Sequence, residues 1–253
     1  MRAGEEPDRM LAVCAFLGLF LAAGCGLFYR APAPIPTVPY LAADHSPARD
    51  LLVLLPGRND RAGVFAEQGV VGIAERAAAS LDVVAVDATL GYYIHRNLTQ
   101  RLRADVFEPA RRRGYRSRWI AGISMGGLGA LLFAQHHPEV VTDVIVVAPF
   151  LGDDEVLQEI ERAGGVLAWR PPARLDPDDY QRDLWRWLKA CAEQGQPCPR
   201  IFLGYGAEDR FVRAHRLLAA VLPANRVAVV PGGHDWGPWR DLFATLLPRV
   251  AAR

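Results

Sequence analysis

From residue 50 to the C-terminus, short apolar runs alternate with longer stretches whose apolar positions recur at helical spacing. The short runs fall at Asp50–Pro56, Leu81–Ala88, Arg118–Ile123, Thr142–Ala148, Ile201–Tyr205 and Arg226–Val230. They are rich in Val, Ile, Leu and Ala without polar alternation, as strands covered on both faces require. The helical stretches span about 62–79, 97–113, 126–136, 210–221 and 236–248, with Gly114 and His137-Pro138 as stops after the second and third. This alternation predicts an α/β fold built on a mainly parallel, doubly wound sheet. Residues 40–49 are expected to add one or two antiparallel edge strands.

One segment breaks the rhythm. Residues 151–199 separate two expected strands and carry helical runs at 153–164 and 178–194. A connection after a strand's carboxyl end borders the ligand crevice of an open α/β sheet, which places this insertion as a lid. Trp169, Tyr180, Trp185 and Trp187 on it either line an apolar pocket or pack the inserted helices onto the domain. Tyr92 and Tyr93, at another strand's carboxyl end, either contact a substrate or pack the next helix.

The N-terminus has a different pattern. Met10 to Phe28 is almost continuously apolar and runs into the proline-rich segment Ala31–Pro39. Residues 1–30 therefore read as a signal peptide or membrane anchor, 31–49 as an extended linker, and 50–253 as the folded domain. Within the apolar run, Leu21-Ala22-Ala23-Gly24-Cys25 resembles the lipobox of bacterial lipoproteins, which implies cleavage before Cys25 and a lipid on its thiol. An uncleaved anchor and a cleaved secretory signal are the alternatives. All three place the domain outside the cytoplasm, at the bacterial cell envelope or beyond. Cys191 and Cys198 flank a short loop and are either a disulfide, as an oxidising compartment favours, or two free thiols.

Composition adds only exclusions. A hydrophobic fraction of 51% suits a globular protein, and a formal net charge of +1 selects no charged partner. Arg111-Arg112-Arg113 closes an expected helix, where cations complement the helix dipole, and reads as a solvated end rather than a nucleic-acid site. Neither a glycine-rich phosphate loop nor a metal-ligand spacing appears, so no cofactor, metal or nucleic acid is expected.

The chemistry is concentrated in Gly122-Ile123-Ser124-Met125-Gly126, which joins an expected strand to an expected helix. A Gly-x-Ser-x-Gly in that context is a nucleophile elbow, a turn tight enough to require glycine on either side of the serine. In a chain with four serines and 23 glycines, about 0.03 such matches arise by chance. Asp209 then follows one expected strand and His234 the next, so the order is Ser, Asp, His. A serine hydroxyl needs a base to take its proton, and His234 on the loop Pro231-Gly232-Gly233 suits that role, with Asp209 to orient it. Glu208 is expected to point elsewhere, and Asp153 or Asp154 is the alternative acid. His136 and His137 end an expected helix, His95 and His215 sit near expected helix starts or surfaces, and His45 lies in the N-terminal region.

From residue 50 onward the chain resembles the α/β-hydrolases, and Gly122 to Leu131 is similar to the elbow of carboxylesterase families that include esterase D and the mycolyltransferases. The resemblance implies a serine hydrolase that cleaves a small-molecule carboxylic ester through an acyl-enzyme on Ser124, without a cofactor. It also implies an oxyanion hole of backbone N–H groups from Met125 and from the loop Pro56–Asp60, where Arg58 is expected and Gly57 is the neighbour. A thioesterase, an amidase or peptidase, or an acyltransferase would share these residues. A non-catalytic envelope lipoprotein that binds a lipid or protein is the reading from another class, and retention of Ser124, Asp209 and His234 together argues against it.

Overall fold

The structure is a computed structural model that describes residues 30–42 and 50–252. The apolar run, Cys25 and His45 lie outside the described residues. The seven strands are β1 Thr37–Tyr40, β2 Asp50–Leu55, β3 Leu81–Val86, β4 Ser117–Ile123, β5 Asp143–Val147, β6 Arg200–Gly206 and β7 Val227–Val230. They form one sheet in the order β1-β3-β2-β4-β5-β6-β7. β1 pairs antiparallel with β3, and every other neighbouring pair is parallel.

The antiparallel edge strand β1 begins inside the proline-rich segment, ahead of residue 40, and residues 43–49 lie outside the described residues. Pro39 is tolerated there because an edge strand is hydrogen-bonded on one side only. This segment is also fastened down rather than left as a free linker. Ile35 is buried and donates its N–H to Asp105 Oδ2 at 2.8 Å, and Tyr92 donates its hydroxyl to the Pro32 carbonyl at 2.7 Å.

The helices are α1 Val64–Glu67, α2 Val70–Ala77, α3 Leu90–Ile94, α4 Leu98–Arg101, α5 Glu108–Arg112, α6 Met125–His136, α7 Asp154–Arg162, α8 Tyr180–Ala192, α9 Val212–Ala219 and α10 Trp236–Ala251. Two expected helices are interrupted. The first breaks at Gly69, whose φ of 75° is left-handed. The second carries a π-helical stretch, Leu102–Phe107, just before Pro109. Proline has no N–H for the carbonyl four residues back and its ring crowds that carbonyl, so the wider turn accommodates it.

Both faces of the sheet are covered. Along β2, Leu51, Val53 and Leu55 point into one apolar layer and Leu52 and Leu54 into the other. The first layer is closed by α3 to α9 and the second by α1, α2 and α10. The insertion packs into the first layer as α7 and α8. Trp169, Trp185 and Trp187 are buried there, and Arg182 of α8 bonds Glu155 and Glu159 of α7. Cys191 and Cys198 form a disulfide with a Cα–Cα distance of 5.7 Å, tying the end of α8 to the start of β6. Among the described residues no helix is long and apolar enough to cross a membrane.

Candidate active site

β4 ends at Ile123 and α6 begins at Met125, so Ser124 alone makes the turn. Its φ of 53° and ψ of −114° lie in a region that costs an ordinary residue roughly 1–3 kcal/mol. The neighbours explain why the glycines are needed. A Cβ on Gly122 would lie 2.1 Å from the Gly126 carbonyl oxygen, and one on Gly126 would lie 2.2 Å from that of Leu55. The strained turn is over-determined by hydrogen bonds. Ser124 donates its N–H to Val147 at 3.0 Å and accepts at its carbonyl from Leu128 at 3.1 Å and Phe150 at 3.0 Å.

Asp209 and His234 arrive from the ends of β6 and β7. His234 Nε2 lies 3.0 Å from Ser124 Oγ, and its Nδ1 lies 2.8 Å from Asp209 Oδ2. Asp209 is 1% exposed, and its other oxygen accepts the Phe211 N–H at 2.8 Å. Burial alone would raise this carboxyl, but the hydrogen bonds from His234 and Phe211 outweigh it and hold it below the usual carboxylate value. An ionised acceptor at Nδ1 keeps the proton on that nitrogen, leaving the Nε2 lone pair facing the serine hydroxyl. The imidazole is held edge-to-face between Phe211 and Trp239, with centroids at 5.1 and 5.0 Å. The arrangement has the parts for proton transfer from Ser124 to His234.

The alternative acids are engaged elsewhere. Asp153 precedes α7 and its carboxylate accepts from the Gln181 side-chain amide at 2.8 Å, and Asp154 pairs with Arg213 at 3.2 Å. Because Leu55 pairs with Gly122, the loop Pro56–Asp60 leaves β2 beside the elbow, with the Asp60 N–H closing on the Gly57 carbonyl at 3.2 Å. Arg58 is exposed at its tip, and Met125 opens α6, where the first N–H groups of a helix have no intrahelical partner.

Of the expected pocket residues, Tyr92 and Tyr93 line a cavity of about 570 Å³, together with Tyr180. Trp169 does not. It is 1% exposed and donates Nε1–H to Glu159 at 2.8 Å, so it packs the insertion. Trp236 and Trp239 pack together with centroids 5.3 Å apart, and Trp239 also backs the His234 ring.

One residue near the triad has a partner, and another a burial, that the sequence did not show. The Glu208 carboxylate, expected to point elsewhere than His234, accepts the Gly232 N–H, while the Glu208 N–H donates to the Gly232 carbonyl at 3.1 Å. The turn carrying Asp209 is thus laced to the loop carrying His234. His215, expected near a surface, is fully buried, with Nε2 2.9 Å from the Pro149 carbonyl, next to the residue that bonds Ser124. Burial pushes its pKa down to about 4, against a smaller opposing pull from Asp209. Its place on the stripe Phe211, Ala214, His215, Leu218 was the available signal, since that spacing puts it on the apolar face of α9. Among the described residues no three His, Cys, Asp or Glu side chains come together as a metal site needs.

A parallel sheet with a strained serine between strand and helix, facing a histidine and a buried aspartate, defines a serine hydrolase of the α/β-hydrolase fold. The esterase family model matches residues 85–250, and the chain belongs to that family; it is a hydrolase acting on esters. Solved structures agree in fold. S-formylglutathione hydrolase from Staphylococcus aureus aligns at a TM-score of 0.58 with 14% identity, over 88% of this chain and 99% of its own. The fluorophosphonate-binding serine hydrolase F of the same organism aligns at 0.62 with 14% identity, over 88% and 96%. A ferulic acid esterase aligns at 0.56 with 20% identity, over 85% and 90%. No curated protein matches the chain significantly.

Proposed function

We propose that the chain hydrolyses carboxylic esters through an acyl-enzyme on Ser124. The observation that carries this reading is the continuous chain from Ser124 Oγ through His234 to Asp209, at 3.0 and 2.8 Å, anchored by a buried carboxylate. In the forward step Ser124 Oγ bonds to the ester carbonyl carbon and its proton moves to His234 Nε2. The oxyanion sits against the N–H groups of Met125 and Arg58. His234 then protonates the leaving alkoxide as the C–O bond breaks. Water, deprotonated by the same imidazole, releases the acid and restores Ser124.

Fluorophosphonate labelling of the full chain tests this reading. Labelling is expected on Ser124 and absent from Ser124→Ala, whose kcat on a reactive ester falls by roughly 10⁴–10⁶. A variant that keeps a tenth of the activity would sink the mechanism.

We further infer that the domain works at the bacterial cell envelope. Support comes from the apolar run to Phe28, the lipobox-like Leu21–Cys25 and the Cys191–Cys198 disulfide. Cys25→Ala is expected to move the protein from the membrane to the soluble fraction. Continued membrane association of the variant points to an uncleaved anchor, and a cytosolic wild type overturns the location.

A further inference from the structure

One wall of the cavity of about 570 Å³ is formed by Leu128, Leu132 and His136, spaced four apart and so on one face of α6. Tyr92, Tyr93 and Ile94 of α3 face it, and Leu175, Pro177 and Tyr180 close the third side. Gly129 lets α3 approach this closely, because a Cβ there would lie 2.5 Å from the Tyr93 hydroxyl. The triad itself lies outside the cavity walls, but Leu128 donates its N–H to the Ser124 carbonyl, so the apolar stripe starts one helical turn from the nucleophile.

The α6 wall is apolar at Leu128 and Leu132 and polar at His136, and the charged lining residues are the Asp183–Arg186 ion pair on α8 together with Arg96, Asp176 and Asp179. From Ser124 the helix rises about 12 Å to Leu132 and about 18 Å to His136. The first distance is close to the reach of an extended decanoyl chain, and the second to that of palmitoyl.

We propose that this cavity receives the acyl group of the ester, and that the preferred acyl group is a medium-length, unbranched aliphatic chain. This rests on the reading of Ser124 as nucleophile. The chain leaves the carbonyl at Ser124, passes Leu128 and lies along Leu132, with its end short of the charged rim. Acetyl leaves the space unfilled, and palmitoyl pushes apolar carbon against the Asp183–Arg186 pair. Each methylene buried along the stripe raises kcat/KM by up to about fourfold.

The test is a series of p-nitrophenyl esters from acetate to palmitate, with methyl ferulate alongside, assayed on the full chain. The expected result is a maximum at octanoate or decanoate, at least tenfold above acetate, with a fall at palmitate. Leu132→Trp, which fills the cavity, is expected to lower the octanoate-to-acetate ratio at least tenfold, while Leu132→Met preserves it. Tyr180→Trp repeats the test from the third, partly exposed side if the α6 variant does not fold. A flat or falling series from a protein that still labels with fluorophosphonate overturns the acyl-cavity proposal alone. So does a preference for ferulate, or a ratio that neither tryptophan variant alters. Loss of both labelling and all ester turnover in the wild type overturns the nucleophile reading beneath it.

Discussion

Ser124 sits in a left-handed backbone conformation that three hydrogen bonds and two obligate glycines hold in place, so its strain is maintained by its immediate surroundings. Ser124, Asp209 and His234 were legible in the sequence because their signals are local: a glycine-flanked serine at a strand-to-helix boundary, and an acid and a base each just past a strand. Glu208 was not legible, because its partner is Gly232, 24 residues away across a loop whose path the sequence does not specify. Glu208→Ala should therefore loosen the His234 loop without removing any reacting group. Because the site is exposed, the expected cost is about 1 kcal/mol in stability. A several-fold fall in kcat with little change in KM is expected beside it, with Glu208→Gln restoring most of the rate because its carbonyl can still accept the Gly232 N–H. Steady-state kinetics on both variants checks this, and an unchanged kcat in Glu208→Ala refutes it.

At the scale of elements, the expected helices and strands from residue 50 onward form, the short helix α3 and the strand β1 were not anticipated, and two expected helices were altered by a single residue each. Gly69 split one expected helix and Pro109 widened another. The aromatic residues of the insertion were recognised as a group, but periodicity alone does not separate a packed face from a pocket wall. Burial separates them, with Trp169, Trp185 and Trp187 inside the layer and Tyr180 at the cavity. The burial of His215 on α9 has a consequence for stability. Its folded pKa is lowered to about 4, below the ordinary 6.5, so between those values the unfolded chain takes up a proton that the folded chain refuses. Stability from this group is thus complete above the upper value and declines as pH falls toward the lower, by up to ~3 kcal/mol. Urea unfolding from pH 7 to pH 4.5 should show a shallower decline in His215→Gln than in the wild type. Parallel declines would refute the assignment.

For the whole molecule, the disulfide ties the end of α8 to the residues just ahead of β6. It closes a loop with a sequence separation of 7, for which chain entropy gives about 2 kcal/mol. The double replacement Cys191→Ser and Cys198→Ser should lower the unfolding free energy by that order in a denaturant titration. An unchanged midpoint would mean that the loop is already ordered without the bond. The order of elements, the parallel sheet and the nucleophile elbow were determined by the sequence itself, because hydrophobic period and turn chemistry act over neighbouring residues. Only the tertiary structure decided that the proline-rich segment supplies the edge strand, that Glu208 locks the loop bearing the base, and that an apolar cavity starts one turn below Ser124. Each of these depends on residues far apart in the chain meeting in space, and packing sets such distances where local pattern does not.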